Sequence, residues 1–386
     1  MHLSWLDGSA AALTALDAAL ASALDGGPAV LPLNSADPAA PALLEAMAPE
    51  QPVEPDTAVV IATSGSTGAP KGVLLSPRAL TASATATHAR LGGPGHWLLA
   101  TPAHYIGGLQ VLIRARLAGT KPAFLTGTGF RPDEFAAAAA PVLAENGPRY
   151  TALVPTQLVR LLDDGGAGLA AAKAFDGIIL GAAATSPKLR AQAAEEGVRI
   201  IPSYGMSETA SGCVYDGVPL DGVHVAPDAD ERLWISGPVL SHGYRLAPEL
   251  TAESFRDGSF RTSDRGRLLP DGRVEVLGRA DDVINTGGVK VSAASVERLL
   301  GAQPGVRDAC VVGVPDPQWG EAVVAMVVAS SSADALRAAV RAELGAAATP
   351  KRIEFTDALP LRGPGKIDRQ AVVAALRTHS AGSPNG

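Results

Sequence analysis

The stretch from Ala58 to Gly72 constrains this chain more than any other. Ala58-Val59-Val60-Ile61-Ala62 is a continuous apolar run of strand length and reads as a buried strand. It passes directly into Thr63-Ser64-Gly65-Ser66-Thr67-Gly68-Ala69-Pro70-Lys71-Gly72. Hydroxyl and glycine residues this dense make a poor core segment and a good anion cradle. Small side chains let backbone N–H groups reach phosphate oxygens, and the hydroxyls and Lys71 add donors. The spacing does not give the G-x-x-x-x-G-K-[ST] loop. Pro70 removes a backbone donor and disfavours helical geometry at Ala69. The expectation is a mobile loop that closes over phosphates rather than a rigid loop that opens a helix. A plain Gly/Ser linker rarely follows a buried strand so directly.

Further short apolar runs end in small or polar residues. Trp97–Ala100, Pro122–Leu125, Thr151–Val154, Gly177–Gly181 and Val198–Ile201 read as strands. Helical stretches separate them, the first capped by Ser76 with Pro77 at its first position. Strands alternating with helices predict a largely parallel sheet, whose ligands bind outside the carboxyl ends of the strands. His104, Gln157, Gly181 and Tyr204 all fall at such ends. Ahead of this region, Leu13, Leu16, Leu20 and Leu24 predict one amphipathic helix, stopped by Gly26-Gly27-Pro28 and followed by a Pro/Ala-rich connection to about residue 55.

After about residue 212 the runs shorten. Arg232–Ser236, Phe260–Thr262 and a hairpin across Asp271-Gly272 predict a small antiparallel subdomain. Gly278-Arg279-Ala280-Asp281-Asp282 reads as a domain boundary. Beyond it lie a helix capped by Ser292, strands at Ala309–Val314 and Ala322–Ala329, a helix carrying Leu336, Val340 and Leu344, and a last helix from near Ile367. The predicted fold class is α/β. A large N-terminal domain over 1–280 has mostly parallel sheets plus the antiparallel subdomain. A small mobile α+β C-terminal domain covers 281–378, and 379–386 form a disordered tail.

Several function classes are excluded. The net charge of -7 argues against nucleic acid as the main partner. Cys213 and Cys310 sit far apart without metal-ligand spacing, which fits a reducing cytoplasm better than a disulfide or zinc role. No apolar run approaches a membrane span. The N-terminus lacks the basic start of a signal peptide, and Asp7 and Asp17 interrupt it.

Four clusters could carry chemistry. Tyr204-Gly205-Met206-Ser207-Glu208-Thr209 offers an aromatic face for a base and a carboxylate for a metal ion that prefers oxygen ligands. Asp264, after Arg261-Thr262-Ser263, could accept from two ribose hydroxyls. Gly287-Gly288-Val289-Lys290 lets a backbone approach a ligand closely. Gly363-Pro364-Gly365-Lys366-Ile367-Asp368-Arg369 puts a lysine on a glycine-flanked loop near the chain end.

Taken together, TSGSTGAPKG, HYIGGL, LGAAAT, YGMSETASG, RTSDRGRL, GRADDVINTGGVKVSAASVE and PGKIDR resemble, in order, the motifs of the adenylate-forming superfamily of acyl-CoA synthetases, adenylation domains and luciferases. The resemblance covers roughly residues 56–378. It implies attack of a carboxylate on the α-phosphorus of ATP, then rotation of the C-terminal domain and attack of a thiol, usually that of coenzyme A, on the acyl-adenylate. By this resemblance Thr63, Ser64, Gly65, Ser66, Thr67, Gly68 and Lys71 handle the β,γ-phosphates. Gly181, Ala182, Ala183, Tyr204 and Gly205 flank the adenine. Thr209 contacts the α-phosphate, Glu208 holds Mg²⁺, and Asp264 and Arg279 hold the ribose. Asp281 is the hinge. Lys366 neutralises charge at the reacting α-phosphate, and Gly288 and Lys290 face the site only for the thioester step. The chain departs from the pattern in two places. Its phosphate loop begins near residue 63, shortening the N-terminal region, and the loop before Lys366 lacks the usual hydroxyl residue.

The length and the run Leu153-Val-Pro-Thr-Gln157…Arg160-Leu-Leu162 look like the o-succinylbenzoyl-CoA synthetases of menaquinone biosynthesis. Such a substrate has a second carboxylate. Arg160 is the candidate to hold it, with Gln157 and His104 as helpers and Ser207 lining the acyl pocket. The alternatives are another fatty or aryl acyl-CoA synthetase, an adenylation domain loading a carrier protein, and a non-catalytic nucleotide- or acyl-binding regulator. The implied partners are a small carboxylic acid, ATP and coenzyme A, with a homodimer left open.

Overall fold

A computed structural model describes residues 1–64, 70–127, 129–363 and 365–378. In the Val59–Ser64 strand Val59–Ala62 are buried, and Pro70–Leu75 returns antiparallel to it, pairing Thr63 with Lys71. The phosphate-loop stretch is therefore flanked by two paired strands, with Lys71 on the returning one. Gly65, Ser66, Thr67 and Gly68 lie outside the described residues.

The first 55 residues are more structured than their composition suggests. His2–Leu6 and Val30–Asn34 run parallel to each other, and Val30 pairs with Val59. The sheet order is His2–Leu6, Val30–Asn34, Val59–Ser64, Pro70–Leu75, Gly243–Tyr244. The expected Pro/Ala-rich connection thus contains a strand, and also the Ala40–Met47 helix. Pro32 hid the strand, because proline inside a run normally argues against one. The predicted leucine helix spans Ala10–Leu24, with Leu13, Leu16 and Leu20 buried and the Ser9 side chain accepting from the Ala12 N–H at 3.2 Å.

The second sheet has seven strands. Ala123–Phe124, His96–Leu99, Arg149–Leu153, Gly177–Leu180 and Ile200–Met206 are parallel neighbours in that order, and Ser211–Tyr215 turns back antiparallel on the last. Helices Pro77–Leu91 and Ile106–Leu117 cover one face. Pro132–Leu143, Pro155–Asp164, Ala167–Lys173 and Pro187–Glu195 supply the apolar core of the other. Coverage on both faces explains why the strands read as unbroken apolar runs.

A third, antiparallel sheet is built on Ser259–Leu268, flanked by Arg232–Ser236 and Val274–Arg279. The smaller C-terminal domain folds around the long hairpin of Val306–Asp316 and Gly320–Ala329. Helices Ala293–Gly301 and Ala333–Leu344 pack on one face and Arg369–Thr378 on the other. Among the described residues no helix is long and apolar enough to cross a membrane.

Candidate active site

The carboxyl ends of the parallel strands share one edge of the second sheet, and three ionic or polar groups gather there. In the first, Lys71 Nζ donates to Glu208 Oε1 at 2.8 Å and sits 4.4 Å above the Tyr244 ring. Tyr244 Oη donates to the same oxygen at 2.9 Å. Glu208 is only 6% exposed, on the short 3₁₀ turn Ser207–Thr209 after the Ile200–Met206 strand. Burial, then the Glu208 charge, pushes the Tyr244 phenol above its usual range, so it stays a donor. Among the described residues Glu208 Oε2 accepts no hydrogen bond, and no three His, Cys, Asp or Glu side chains cluster to hold a metal. A lone carboxylate with one open oxygen suits Mg²⁺, which keeps several waters and takes its other ligands from phosphates.

In the second group, Tyr204 Oη donates to Asp264 Oδ2 at 2.8 Å. Burial pushes the Asp264 carboxyl up, and the Tyr204 bond and the Arg279 charge oppose the rise. Asp264 lies opposite Arg279 across the antiparallel pair, but Arg279 directs its guanidinium fork at Asp281, at 3.0 and 2.6 Å. The predicted ribose arginine and hinge aspartate are thus bonded to each other.

The third group is formed by His104 and Tyr105, with ring centroids 4.1 Å apart. Burial lowers the His104 imidazole to about 4, against an opposing influence from Asp37 of the N-terminal segment. The Leu361–Arg362/Lys366–Ile367 hairpin of the C-terminal domain lies directly over this region. A Cβ on Gly363 would fall 2.8 Å from Tyr105 Oη, and one on Gly365 would fall 3.0 Å from Thr156 Oγ1. Lys366 is exposed on this hairpin, at the strand ends.

Other predicted residues are placed as follows. Gly181 donates its N–H to Leu153 O at 3.1 Å. Ala182 has φ 70°, a left-handed conformation that costs alanine about 1–2 kcal/mol, and with Ala183 it is exposed. Gly205 cannot carry a side chain, because its Cβ would lie 2.1 Å from Ser211 O. The buried Thr209 hydroxyl accepts from the Met206 N–H at 2.9 Å and lies 2.7 Å from Ser211 O, so it is engaged within its own turn. Ser207 is half-buried at the start of that turn, where its carbonyl accepts from Ala210.

Gln157 is held by backbone. Its Oε1 accepts from Val154 N–H at 2.9 Å and its Nε2 donates to Ala100 O at 2.8 Å, which leaves one amide hydrogen for a ligand. Arg160 lies on the exposed side of its helix and donates to Phe130 O at 3.2 Å. Among the described residues it forms no ion pair. Gly288 and Lys290 are exposed on the Val283–Thr286/Val289–Ser292 hairpin, and no hydrogen bond or ion pair among the described residues ties them to Glu208.

Sequence reasoning missed Tyr244, which sits in a two-residue strand without periodicity. It also missed Arg245. That side chain is fully buried, pairs with Glu54 at 2.9 Å and donates to the carbonyls of Met47, Ala48, Gln51 and Pro52. It staples the N-terminal segment beside Tyr244.

Residues 7–245 match the family model for an AMP-binding enzyme, and residues 295–366 match the AMP-binding enzyme C-terminal domain. A Mycobacterium tuberculosis protein named probable 2-succinylbenzoate–CoA ligase is 43% identical over 341 residues, spanning 86% of this chain and 88% of that protein. The amide bond synthetase from Marinactinospora thermotolerans superposes with a TM-score of 0.78 at 26% identity, covering 97% of this chain and 90% of that one. O-succinylbenzoate coenzyme A synthetase from Bacillus subtilis, in complex with ATP and magnesium ion, gives 0.70 at 26% identity over 82% of this chain and 70% of that one. The first match carries the Lys71–Glu208–Tyr244 cluster and the second ends on Lys366, so both halves of the strand-end site are covered, and the chain belongs to the AMP-binding enzyme family.

Proposed function

We propose that this protein is an ATP-dependent acid–thiol ligase that converts o-succinylbenzoate to its coenzyme A thioester through an acyl-adenylate. The observations that carry the chemistry are the Lys366 hairpin seated against Tyr105 and Thr156 at the carboxyl ends of the parallel strands, and the Lys71–Glu208–Tyr244 cluster built where the Ile200–Met206 strand of the same sheet ends. The acid is inferred from the 43% identical relative named for it. Two buried free cysteines fit action in a reducing cytoplasm.

In the first step a substrate carboxylate oxygen bonds to the α-phosphorus of ATP and pyrophosphate leaves. Glu208, through its open oxygen, would hold Mg²⁺, which would supply positive charge that offsets the phosphates, and the Lys71 ammonium beside it serves the leaving phosphates. Tyr204 lies against the adenine, and Asp264 accepts from the ribose hydroxyls, with Arg279 beside it. Lys366 stabilises charge at the reacting centre. The domains, 1–280 and 281–378, then rotate about Asp281. Gly288 and Lys290 come to the site, the thiolate sulfur bonds to the acyl carbon, and AMP leaves. Arg160, an arginine without a carboxylate partner among the described residues, anchors the second carboxylate of the acid, and His104 serves as a neutral imidazole donor.

The test is pyrophosphate release across o-succinylbenzoate, benzoate, fatty acids and amino acids, with and without coenzyme A. Selective release with o-succinylbenzoate and thioester only with coenzyme A is expected. Turnover of another acid discards the substrate and keeps the reaction. Release followed by product only with an amine supports the amide-forming reading suggested by the Marinactinospora structure. No release with any acid overturns the ligase. Lys366→Ala lowers pyrophosphate release by about a hundredfold to a thousandfold, the usual loss for one donor aimed at developing charge.

A further inference from the structure

We infer that Arg369 is a positioning residue that makes the Lys366 hairpin and the hinge move as one lever. The inference rests on the proposed ligase reading and adds a residue to it. Lys366 closes the two-stranded hairpin, and Asp368 caps the next helix by accepting from the Ala371 N–H at 3.0 Å. Arg369 is the first residue of that helix, three positions beyond Lys366. Its guanidinium turns back into the domain. It reaches Asp282 Oδ2 at 3.1 Å, Glu297 Oε2 at 2.8 Å and the Val311 carbonyl at 2.7 Å. Glu297 Oε1 in turn accepts from the Val311 N–H at 2.7 Å.

The partners decide the meaning. Glu297 lies on the Ala293–Gly301 helix and Val311 on the central strand, so two contacts fix Arg369 to the body of the small domain. The third partner, Asp282, directly follows the proposed hinge residue Asp281, whose own carboxylate is held by Arg279. One guanidinium therefore joins the segment leaving the hinge to the segment carrying Lys366. A half-buried charged network adds little stability over apolar packing, yet it fixes geometry, because each planar fork bond has a direction. Val372 and Leu376, fully buried against the same strand, already supply the apolar anchor of the helix. What Arg369 adds is orientation.

The experiment separates the two half-reactions of the intact enzyme. Arg369→Lys and Asp282→Asn keep charge or shape and avoid leaving both acids unpaired. In both variants kcat for pyrophosphate release falls about tenfold to a hundredfold, as for a reacting group displaced by roughly an ångström, while KM for ATP and for the acid stays put. Thioester formation from supplied acyl-adenylate, which does not need Lys366, stays at the wild-type rate. Lys366→Ala is the reference for a pure first-step loss. Equal losses in both half-reactions mark a merely structural residue and overturn the proposal, as does unchanged pyrophosphate release in both variants. If the wild type releases no pyrophosphate with any acid, the ligase reading falls by itself. The lever is then judged by amide hydrogen exchange. Exchange over 361–367 must rise in Arg369→Lys while the Ala333–Leu344 helix stays protected, and unchanged exchange overturns it.

Discussion

Glu208 receives two hydrogen bonds on one carboxylate oxygen, and this sets what single substitutions do. Tyr244→Phe keeps the ring against Phe255, 5.8 Å away and edge-on, and removes the phenol that donates to Glu208. Folding stability changes little, and pyrophosphate release slows about tenfold, the equivalent of one lost hydrogen bond to a charged group; stopped-flow release against the urea midpoint separates the two. Gly205→Ala acts on the backbone. A methyl group 2.1 Å from Ser211 O forces the Ile200–Met206 and Ser211–Tyr215 strands apart, so a lower melting temperature is expected together with lost nucleotide binding. Two histidines give a pH dependence. Burial, reinforced at His88 by Arg114, brings His88 and His104 from 6.5 to about 4. The unfolded chain takes up these protons near pH 6.5 and the folded chain does not. Their contribution to stability is therefore complete above 6.5 and is lost as pH falls towards 4. Urea midpoints drop across that window, and His88→Gln shows a shallower fall. At this scale the place of Glu208 directly after a strand was legible, whereas Asp264, expected at a strand end, lies inside the Ser259–Leu268 strand. Gln157 looked the same in sequence, but its amide bonds to backbone, which no pattern reveals.

Among the elements, the strand at Val59 and the helix to Leu91 followed directly from composition, but the returning strand Pro70–Leu75 between them did not, because its residues read as loop. Ser76 does cap the Pro77–Leu91 helix, accepting from Ala79 at 3.1 Å. The N-terminal segment was only partly legible. Its leucine helix has clear periodicity, whereas Val30–Asn34 carries a proline and His2–Leu6 is short. Val30–Asn34 pairs with the Val59–Ser64 strand at Val59, and His2–Leu6 adds on to Val30–Asn34 in turn. Arg245 holds the following loop, Met47–Pro52, through contacts that link residues nearly 200 positions apart and leave no local trace. Replacing it with methionine strips a fully buried guanidinium from Glu54 and four carbonyls. A loss of about 3–5 kcal/mol is expected in urea unfolding, and Arg245→Lys recovers little, because one ammonium cannot span the fan of acceptors.

At the scale of the whole molecule, the change from a parallel α/β texture to short antiparallel strands and then to a compact α+β unit was readable as changes in run length. The way the units touch was not, since the contacts of Gly363 and Gly365 depend on bare backbone meeting Tyr105 and Thr156. That docking is testable. Cysteines at 365 and 156 stand within disulfide reach, and the native Cys213 and Cys310 are buried and will not compete. The oxidised double variant keeps releasing pyrophosphate and stops forming thioester, and reductant restores the second step. The first sheet has a different consequence, one for synthesis. Its two N-terminal strands are made first, but the strand that closes its far edge and the arginine that staples its loop arrive only at residues 243–245 of 386. A growing chain therefore carries an unfinished apolar sheet for much of its translation, the state chaperones bind. Ribosome-arrested chains ending near residue 230 should be cut by protease within 1–55, and chains extended well beyond 245 should resist.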